Sequence, residues 1–400
     1  MSPIWKAEVP AAEIHRRHSV LQRAMQAADM AAMLVIQRVD LYYLSGTAQH
    51  GYLFLPAEGK PLLCVRRFLP RAAAESPLAA VAAIDSVKDL PRHIRDHYGT
   101  LPPTLGMELD VLPVNDFRFF RRLMDGCRIV DASGLILQAR AVKSAWELEQ
   151  MDSAAEMTER TFDHMRRIIR PGISEMTFAG HIETFARSLG HGGRLRSRHF
   201  LAESYPWHVL SGDSGGLAGV LDAPASGRGT SAAFPCGAGS KPLAPDEPIM
   251  VDLGSIRCGY HMDETRMFAI GTMPDEALAA CHAAIDIHNE VIRHMAPGVR
   301  VDGLFQLAVS LARRMGYAET FLGPSGAKVS FIAHGIGLEI VEPPFIAAGR
   351  RDRLSAGMVL ALEPKMVFEN RFGAGIESVV AITKDGARLV SRVPIDVFIC

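Results

Sequence analysis

The sequence predicts an α+β protein of two domains, the second of them internally duplicated. Three observations predict it. Strand-like runs alternate with helical stretches as far as about residue 138; a segment near the middle returns without gaps in the second half; and each copy is followed by a β-rich stretch carrying acidic residues. A chain of 400 residues exceeds one ordinary core, and a hydrophobic content of 48% is ample for two.

From Ala11 to about Met30, Ile14, Val20, Leu21, Met25 and Met30 recur at spacings that suit one helix face. Strand-like runs follow at Ala32 to Ile36, Tyr52 to Leu55 and Leu62 to Val65, punctuated by Gly and Pro, with helical stretches at about 87–98 and 115–124. This is the pattern of an α/β domain over residues 1–138. Ala139 to Ile169 is a long amphipathic run rich in helix formers and stopped by Pro171-Gly172, so the second domain is placed at 139–400.

Within that domain PGISEMTFAGHIETFARSLG (171–190) aligns to PGVRVDGLFQLAVSLARRMG (297–316). Both begin Pro-Gly, share apolar positions at helical spacing and end in Gly, and each is preceded by a helical pattern, 143–169 and 275–295. A duplicated helix–helix–sheet unit explains this most economically. Its pseudo-two-fold axis would place a site between the halves.

The first acidic stretch, IMVDLGSIRCGYHMDETRMFAIG (249–271), reads as strands Ile249 to Leu253 and Gly259 to Ile270 joined by a turn at Gly254 to Cys258. Asp252 and Asp263 would then lie on neighbouring antiparallel strands. An ionised carboxylate between Val251 and Leu253 is costly unless compensated, and a cation compensates it. The second stretch, MVLALEPKMVFENRFGAGIESVVAIT (358–383), places Glu363 at the end of one apolar run and Glu377 at the start of another. Between them FIAHGIGLEIVEPP (331–344) holds His334 among apolar residues and a Gly-x-Gly turn. Taken singly, each residue has an ordinary structural reading as a cap, a turn or a hydrogen-bonded core group. Together, four carboxylates and an imidazole suit two divalent cations about 3.5–4 Å apart, with a hydroxide held between them.

VDLG…GYHMDETR, AHGIGLEIVEPP and ALEP…GIES resemble the motifs of the pita-bread metallopeptidases, which include Xaa-Pro aminopeptidase, prolidase and methionine aminopeptidase, with creatinase as a non-peptidase relative. The order Asp, Asp, His, Glu, Glu agrees, as does the step from Asp252 to Asp263. The resemblance implies a pita-bread (creatinase/aminopeptidase) fold behind a smaller creatinase/prolidase-like α/β domain. It implies two divalent metal ions, Mn, Co, Zn or Fe, on Asp252, Asp263, His334, Glu363 and Glu377, with Glu363 also moving protons to and from the attacking water. It further implies hydrolysis of short peptides of Xaa-Pro type and assembly as a homodimer.

Two positions depart from that pattern. The histidine usually found seven residues after the ligand histidine is Val341, and the one about sixteen residues before the first aspartate is Cys236, read as a small buried filler. His208, in YPWHVLSG, is taken as a substitute catalytic histidine lining the cleft; His261 is a weaker candidate on the strand face of Asp263. The small-residued stretch 211–239 is expected to be a lid that selects substrate. These departures keep open a second reading, a metal-dependent hydrolase or lyase for a small non-peptide metabolite. A non-catalytic binding protein would not keep five costly polar residues together.

With 43 basic and 44 acidic residues the chain has no long-range field for nucleic acid or anionic membrane. Charges interrupt the first twenty residues, and no uncharged run is long enough to span a bilayer, so neither secretion nor membrane insertion is expected. The six cysteines form no C-x-x-C pair or framework and read as reduced thiols of a cytoplasmic protein.

Overall fold

The computed structural model describes residues 8–199, 207–219 and 223–400; the first seven residues and part of the 211–239 stretch thus lie outside the described residues. The chain divides into two compact units, Met1–Arg140 and Ala141–Cys400.

The first unit runs α1 (Ala11–Ala27), β1 (Ala32–Val35), α2 (Arg38–Ser45), β2 (Gly51–Pro56), β3 (Leu62–Val65), α3 (Leu69–Glu75), β4 (Val81–Ala83), α4 (Leu90–Tyr98), β5 (Thr104–Met107), α5 (Val114–Leu123) and β6 (Arg128–Asp131), then enters α6 (Ser133–Ala141). The strands form one sheet in the order β4-β3-β2-β1-β5-β6. Its β1–β2 and β2–β3 pairs are antiparallel, while β3–β4, β1–β5 and β5–β6 are parallel. Leu34, Phe54, Leu105 and Met107 are buried on it against Leu90, Ile94 and Phe120 of the helices. Helix α1 stops short of Met30 because Asp29 takes a left-handed φ of 50°. Buried Arg140 donates to the buried carboxylate of Asp40 at 2.6 Å.

The second unit opens with α7 (Ala145–Ile168), later than the amphipathic pattern from Ala139 suggested. The reason is a capping box: the Ser144 hydroxyl accepts from Glu147 N–H, and the Glu147 carboxylate accepts from Ser144 N–H. After α8 (Glu175–Ser188) come β7 (Trp207–Ser211), β8 (Ile249–Arg257) and β9 (Tyr260–Ala269), with β8 antiparallel to both of its neighbours. The β8–β9 turn is tighter than expected. It is only Cys258-Gly259, both at positive φ (52° and 88°), the form that matches strand twist, so β8 continues through Gly254.

Helices α9 (Asp275–His294) and α10 (Val301–Arg314) precede β10 (Phe331–Gly335), β11 (Glu342–Ala347), β12 (Val359–Leu362), the hairpin of β13 (Lys365–Phe368) and β14 (Phe372–Gly375), β15 (Ser378–Thr383), β16 (Gly386–Leu389) and β17 (Phe398–Ile399). The two main sheets run β17-β9-β8-β7 and β11-β10-β12-β15-β16. Each half therefore contains a helix pair followed by antiparallel strands. Each packs its helices on its own sheet: Phe162, Phe178 and Ile182 against Val251 and Phe268, and Ile287, Leu304 and Ala308 against Ile332 and Val380. The duplication extends to backbone detail. Gly172 and Gly298 share a φ of 85°, and the closing Gly190 and Gly316 stand at 99° and 88°, conformations that favour glycine. A bridge between Thr265 and Glu377 joins the two sheets.

Candidate metal centre

The five residues singled out from the sequence converge at that junction. Asp252 lies on β8 and Asp263 on β9; Asp252 pairs with Thr265 and Asp263 with Gly254, so both carboxylates are on one face of the hairpin, two residue pairs apart. His334 comes from β10, Glu363 follows β12, and Glu377 precedes β15. The sequence makes these positions costly for charge: Glu363 and Glu377 are buried among Val359, Leu360, Leu362 and Val379.

His334 is the hub of one side. Its Nδ1 lies 3.0 Å from Gly335 O, to which it donates, leaving the Nε2 lone pair turned inward. Nε2 lies 3.9 Å from Asp263 Oδ2, 3.8 Å from Glu363 Oε1 and 4.0 Å from Glu377 Oε1. Those separations exceed hydrogen-bond reach but suit ligands each about 2 Å from a shared cation. Ligand atoms of Asp263, His334 and Glu377 all lie within 4.8 Å of one another. A lone pair facing carboxylate oxygens is repulsive without a positive charge between them, so this side fits a divalent ion.

The other side holds a residue that the sequence reading passed over. Lys365 Nζ donates to Asp252 Oδ2 at 3.0 Å and to Glu363 Oε2 and Glu377 Oε2, each at 2.9 Å. Its signal was in the sequence, since a lysine inside the apolar run up to Phe368 is as anomalous as Asp252. Burial alone would lower the Lys365 pKa, but the three carboxylates outweigh it and hold it well above the ordinary value. The asymmetry reaches the aspartates. Burial would raise Asp252, yet Lys365 and His208 hold it below the ordinary range, whereas burial and the charges of Glu377, Asp252 and Glu363 push Asp263 well up. Burial also raises Glu363, and takes Glu377 to about 7.

Further side chains position these groups. Thr265 Oγ1 donates to Glu377 Oε2 at 2.9 Å. Fully buried Arg266 pairs with Glu264 and donates to Glu377 O at 2.6 Å, Val393 O at 2.7 Å and Pro394 O at 2.7 Å, pinning β9 to the segment that carries Glu377.

His208 is buried on β7 directly across from Asp252. His261 is buried with both nitrogens engaged by backbone: Nδ1 lies 2.8 Å from Gly337 O, and Nε2 accepts from Arg196 N–H at 3.1 Å, a structural role. Cys236 is buried and Val341 is 39% exposed. The 211–239 stretch is anchored by buried Glu175, whose carboxylate accepts from Ser211 N–H (2.7 Å), Ser211 Oγ–H (2.8 Å) and Gly239 N–H (2.9 Å). Ala218, Gly219 and Ala223 of that stretch line a cavity of about 590 Å³ together with Phe331, Phe345 and Arg350. Phe331 also packs edge-on against His334, their rings 6.0 Å apart.

Comparison with known proteins accords with this geometry. The chain is 27% identical over 402 residues to the probable dipeptidase PepE of Mycobacterium tuberculosis, covering 96% of each chain. Its fold resembles the Xaa-Pro dipeptidase from Bacillus anthracis (TM-score 0.82, 21% identity, 97% of this chain and 100% of that one). It also resembles the prolidase from Pyrococcus horikoshii OT3 (TM-score 0.79, 20% identity, 95% and 99%). Residues 17–142 match the creatinase/prolidase N-terminal domain and residues 149–384 match metallopeptidase family M24. The chain therefore belongs to metallopeptidase family M24, with a creatinase/prolidase N-terminal domain ahead of a pita-bread enzyme domain.

Proposed function

We propose that this protein hydrolyses short peptides of Xaa-Pro type in a metal-dependent reaction. The observation that carries the reading is the inward Nε2 lone pair of His334 facing oxygens of Asp263, Glu363 and Glu377 at 3.8–4.0 Å, a donor set for a hard or borderline divalent ion such as Mn, Co, Zn or Fe. With Asp252 added, the five residues have enough donors for two such ions. A bound cation would supply Lewis acidity toward the scissile carbonyl and the attacking water.

The protein's own residues do the rest. Glu363, held above the ordinary carboxylate range by burial, is suited to take a proton from the attacking water and return it to the leaving amine. His208, across the strand from Asp252, is the second candidate for proton transfer. The 590 Å³ cavity is of a size to hold a di- or tripeptide; Phe331 and Phe345 offer an apolar wall for a proline ring and Arg350 a positive charge for a terminal carboxylate. The 211–239 stretch, lining that cavity, acts as a substrate-selecting lid. A reducing compartment, the cytoplasm on this reading, suits six cysteines of which none is in a disulfide. Among the described residues no helix is long and apolar enough to cross a membrane. The chain assembles as a homodimer on this reading, and a sedimentation mass of two chains is the expected result.

The test is a panel of Xaa-Pro and non-proline dipeptides before and after metal loading. Cleavage of Xaa-Pro peptides that falls by roughly 10³-fold or more in Asp263→Ala is expected. A second reading, hydrolysis or cleavage of a small non-peptide metabolite, is favoured by half-exposed Val341 where a histidine would serve the scissile amide. Bound metal with an inert peptide panel would select it.

A further inference from the structure

The centre has two lobes, and the glutamates divide their oxygens between them. Glu363 and Glu377 each turn Oε1 toward His334 Nε2, at 3.8 and 4.0 Å, and Oε2 toward Lys365 Nζ, at 2.9 Å. Asp263 Oδ2 faces the histidine lobe and Asp252 Oδ2 the lysine lobe. Two carboxylates bridging a pair of cation positions would be arranged in this way. One of the two positions is taken by a covalently tethered ammonium.

We propose that Lys365 is a built-in replacement for one metal ion, so that the centre takes a single divalent cation, held by Asp263, His334, Glu363 and Glu377. The inference rests on the metal-dependent reading above. Three features of the chain argue that the lysine is seated there. An ammonium has three N–H donors, and each meets one carboxylate oxygen at 2.9–3.0 Å, which leaves no valence unused. The side chain, only 2% exposed, has a prepared track: Lys365 pairs with Gly375 across the β13–β14 hairpin, and a Cβ on Gly375 would stand 2.5 Å from Lys365 Cγ. The backbone is held as well, with Lys365 O accepting from Leu322 N–H at 2.8 Å.

Charge points the same way. With a cation bound and all four carboxylates ionised as its ligands and neighbours, the carboxylates and the ammonium carry three minus, which one divalent ion reduces to one minus. A second ion would make the cluster positive and would have to share Asp252, Glu363 and Glu377 with an ammonium about 3 Å from each. In such a centre the ammonium keeps Asp252 and the second oxygens of both glutamates in place, a positioning task, and lends positive charge to the cluster from the protein itself.

The test is a count of Mn²⁺ per chain, by titration of the chelated full-length protein and elemental analysis, with electron paramagnetic resonance to distinguish isolated from coupled ions. The wild type should bind one isolated Mn²⁺, and Lys365→Met should bind two, magnetically coupled. Asp252→Asn, which touches only the lysine lobe, should keep the single ion with affinity within about 10-fold. Asp263→Asn should lose more than the roughly 100-fold that outer-shell changes can cost. Two ions in the wild type, or one in both wild type and Lys365→Met, would overturn the replacement while leaving metal dependence standing. No Mn²⁺ in any of the chains would overturn the metal reading itself. The wild-type count and the two aspartate variants decide the matter even if Lys365→Met does not fold.

Discussion

An imidazole that seeks a cation and a lysine that brings one share two glutamates, and the oxygens of Asp252, Asp263, Glu363 and Glu377 are allotted between them. His208 stands beside the lysine lobe, paired in register with Asp252. If it moves a proton, His208→Ala should lower kcat by about 100-fold with metal content unchanged; wild-type kcat across the pH range would exclude that role. At this scale the acidic cluster was legible because charge inside an apolar run demands compensation. Lys365 carries the same signal, but which carboxylates its ammonium reaches is set only by the folded β13–β14 hairpin. The locking of His261 was not legible, because Gly337 and Arg196 approach it only through the folded chain.

Among the elements, α8 illustrates how a helix N-terminus fixes a loop. Glu175 in its first turn is fully buried and gathers Ser211 and Gly239 from the two ends of the 211–239 stretch. Glu175→Ala strands those donors and should cost about 3 kcal/mol or more of stability, with protease cleavage appearing within 211–239. Unchanged stability and resistance would contradict the anchoring role. In the first unit α1 is tied to α2 by buried His18, whose Nε2 lies 2.6 Å from Leu44 O. Burial lowers this imidazole to about 4 from an ordinary value near 6.5. Between those values the unfolded chain binds a proton that the folded one refuses, so stability contributed by neutral His18 is complete above about pH 6.5 and drains away as pH falls toward 4. The slope is at most about 1.4 kcal/mol per pH unit. A His18 titration followed by NMR should give a midpoint near 4; a midpoint near 6.5 would contradict it. The principal helices and the acidic hairpins were legible from periodicity, but α2, eight residues carrying Arg38 and Asp40, was not, because its identity depends on the Gln37 cap and the Glu108 carboxylate that receives Ile36 and Gln37 N–H.

For the whole molecule, duplication is the principle that places the site. Each half packs a helix pair on its own antiparallel sheet, and the bridge from Thr265 to Glu377 joins the sheets where the acidic residues lie. The repeat was readable because its Pro-Gly openings and closing glycines share unusual backbone angles that few other residues accept. What sequence alone could not give is which oxygen faces which partner, and hence the division into two lobes. The central claim, metal-dependent hydrolysis of short peptides, is tested most directly by the initial rate of proline release from an Xaa-Pro dipeptide by the full-length chain, measured after chelation and again after Mn²⁺ is restored. The account predicts a rate that vanishes with chelation and returns with the metal. An equal rate in both states, or no release in either, would contradict it.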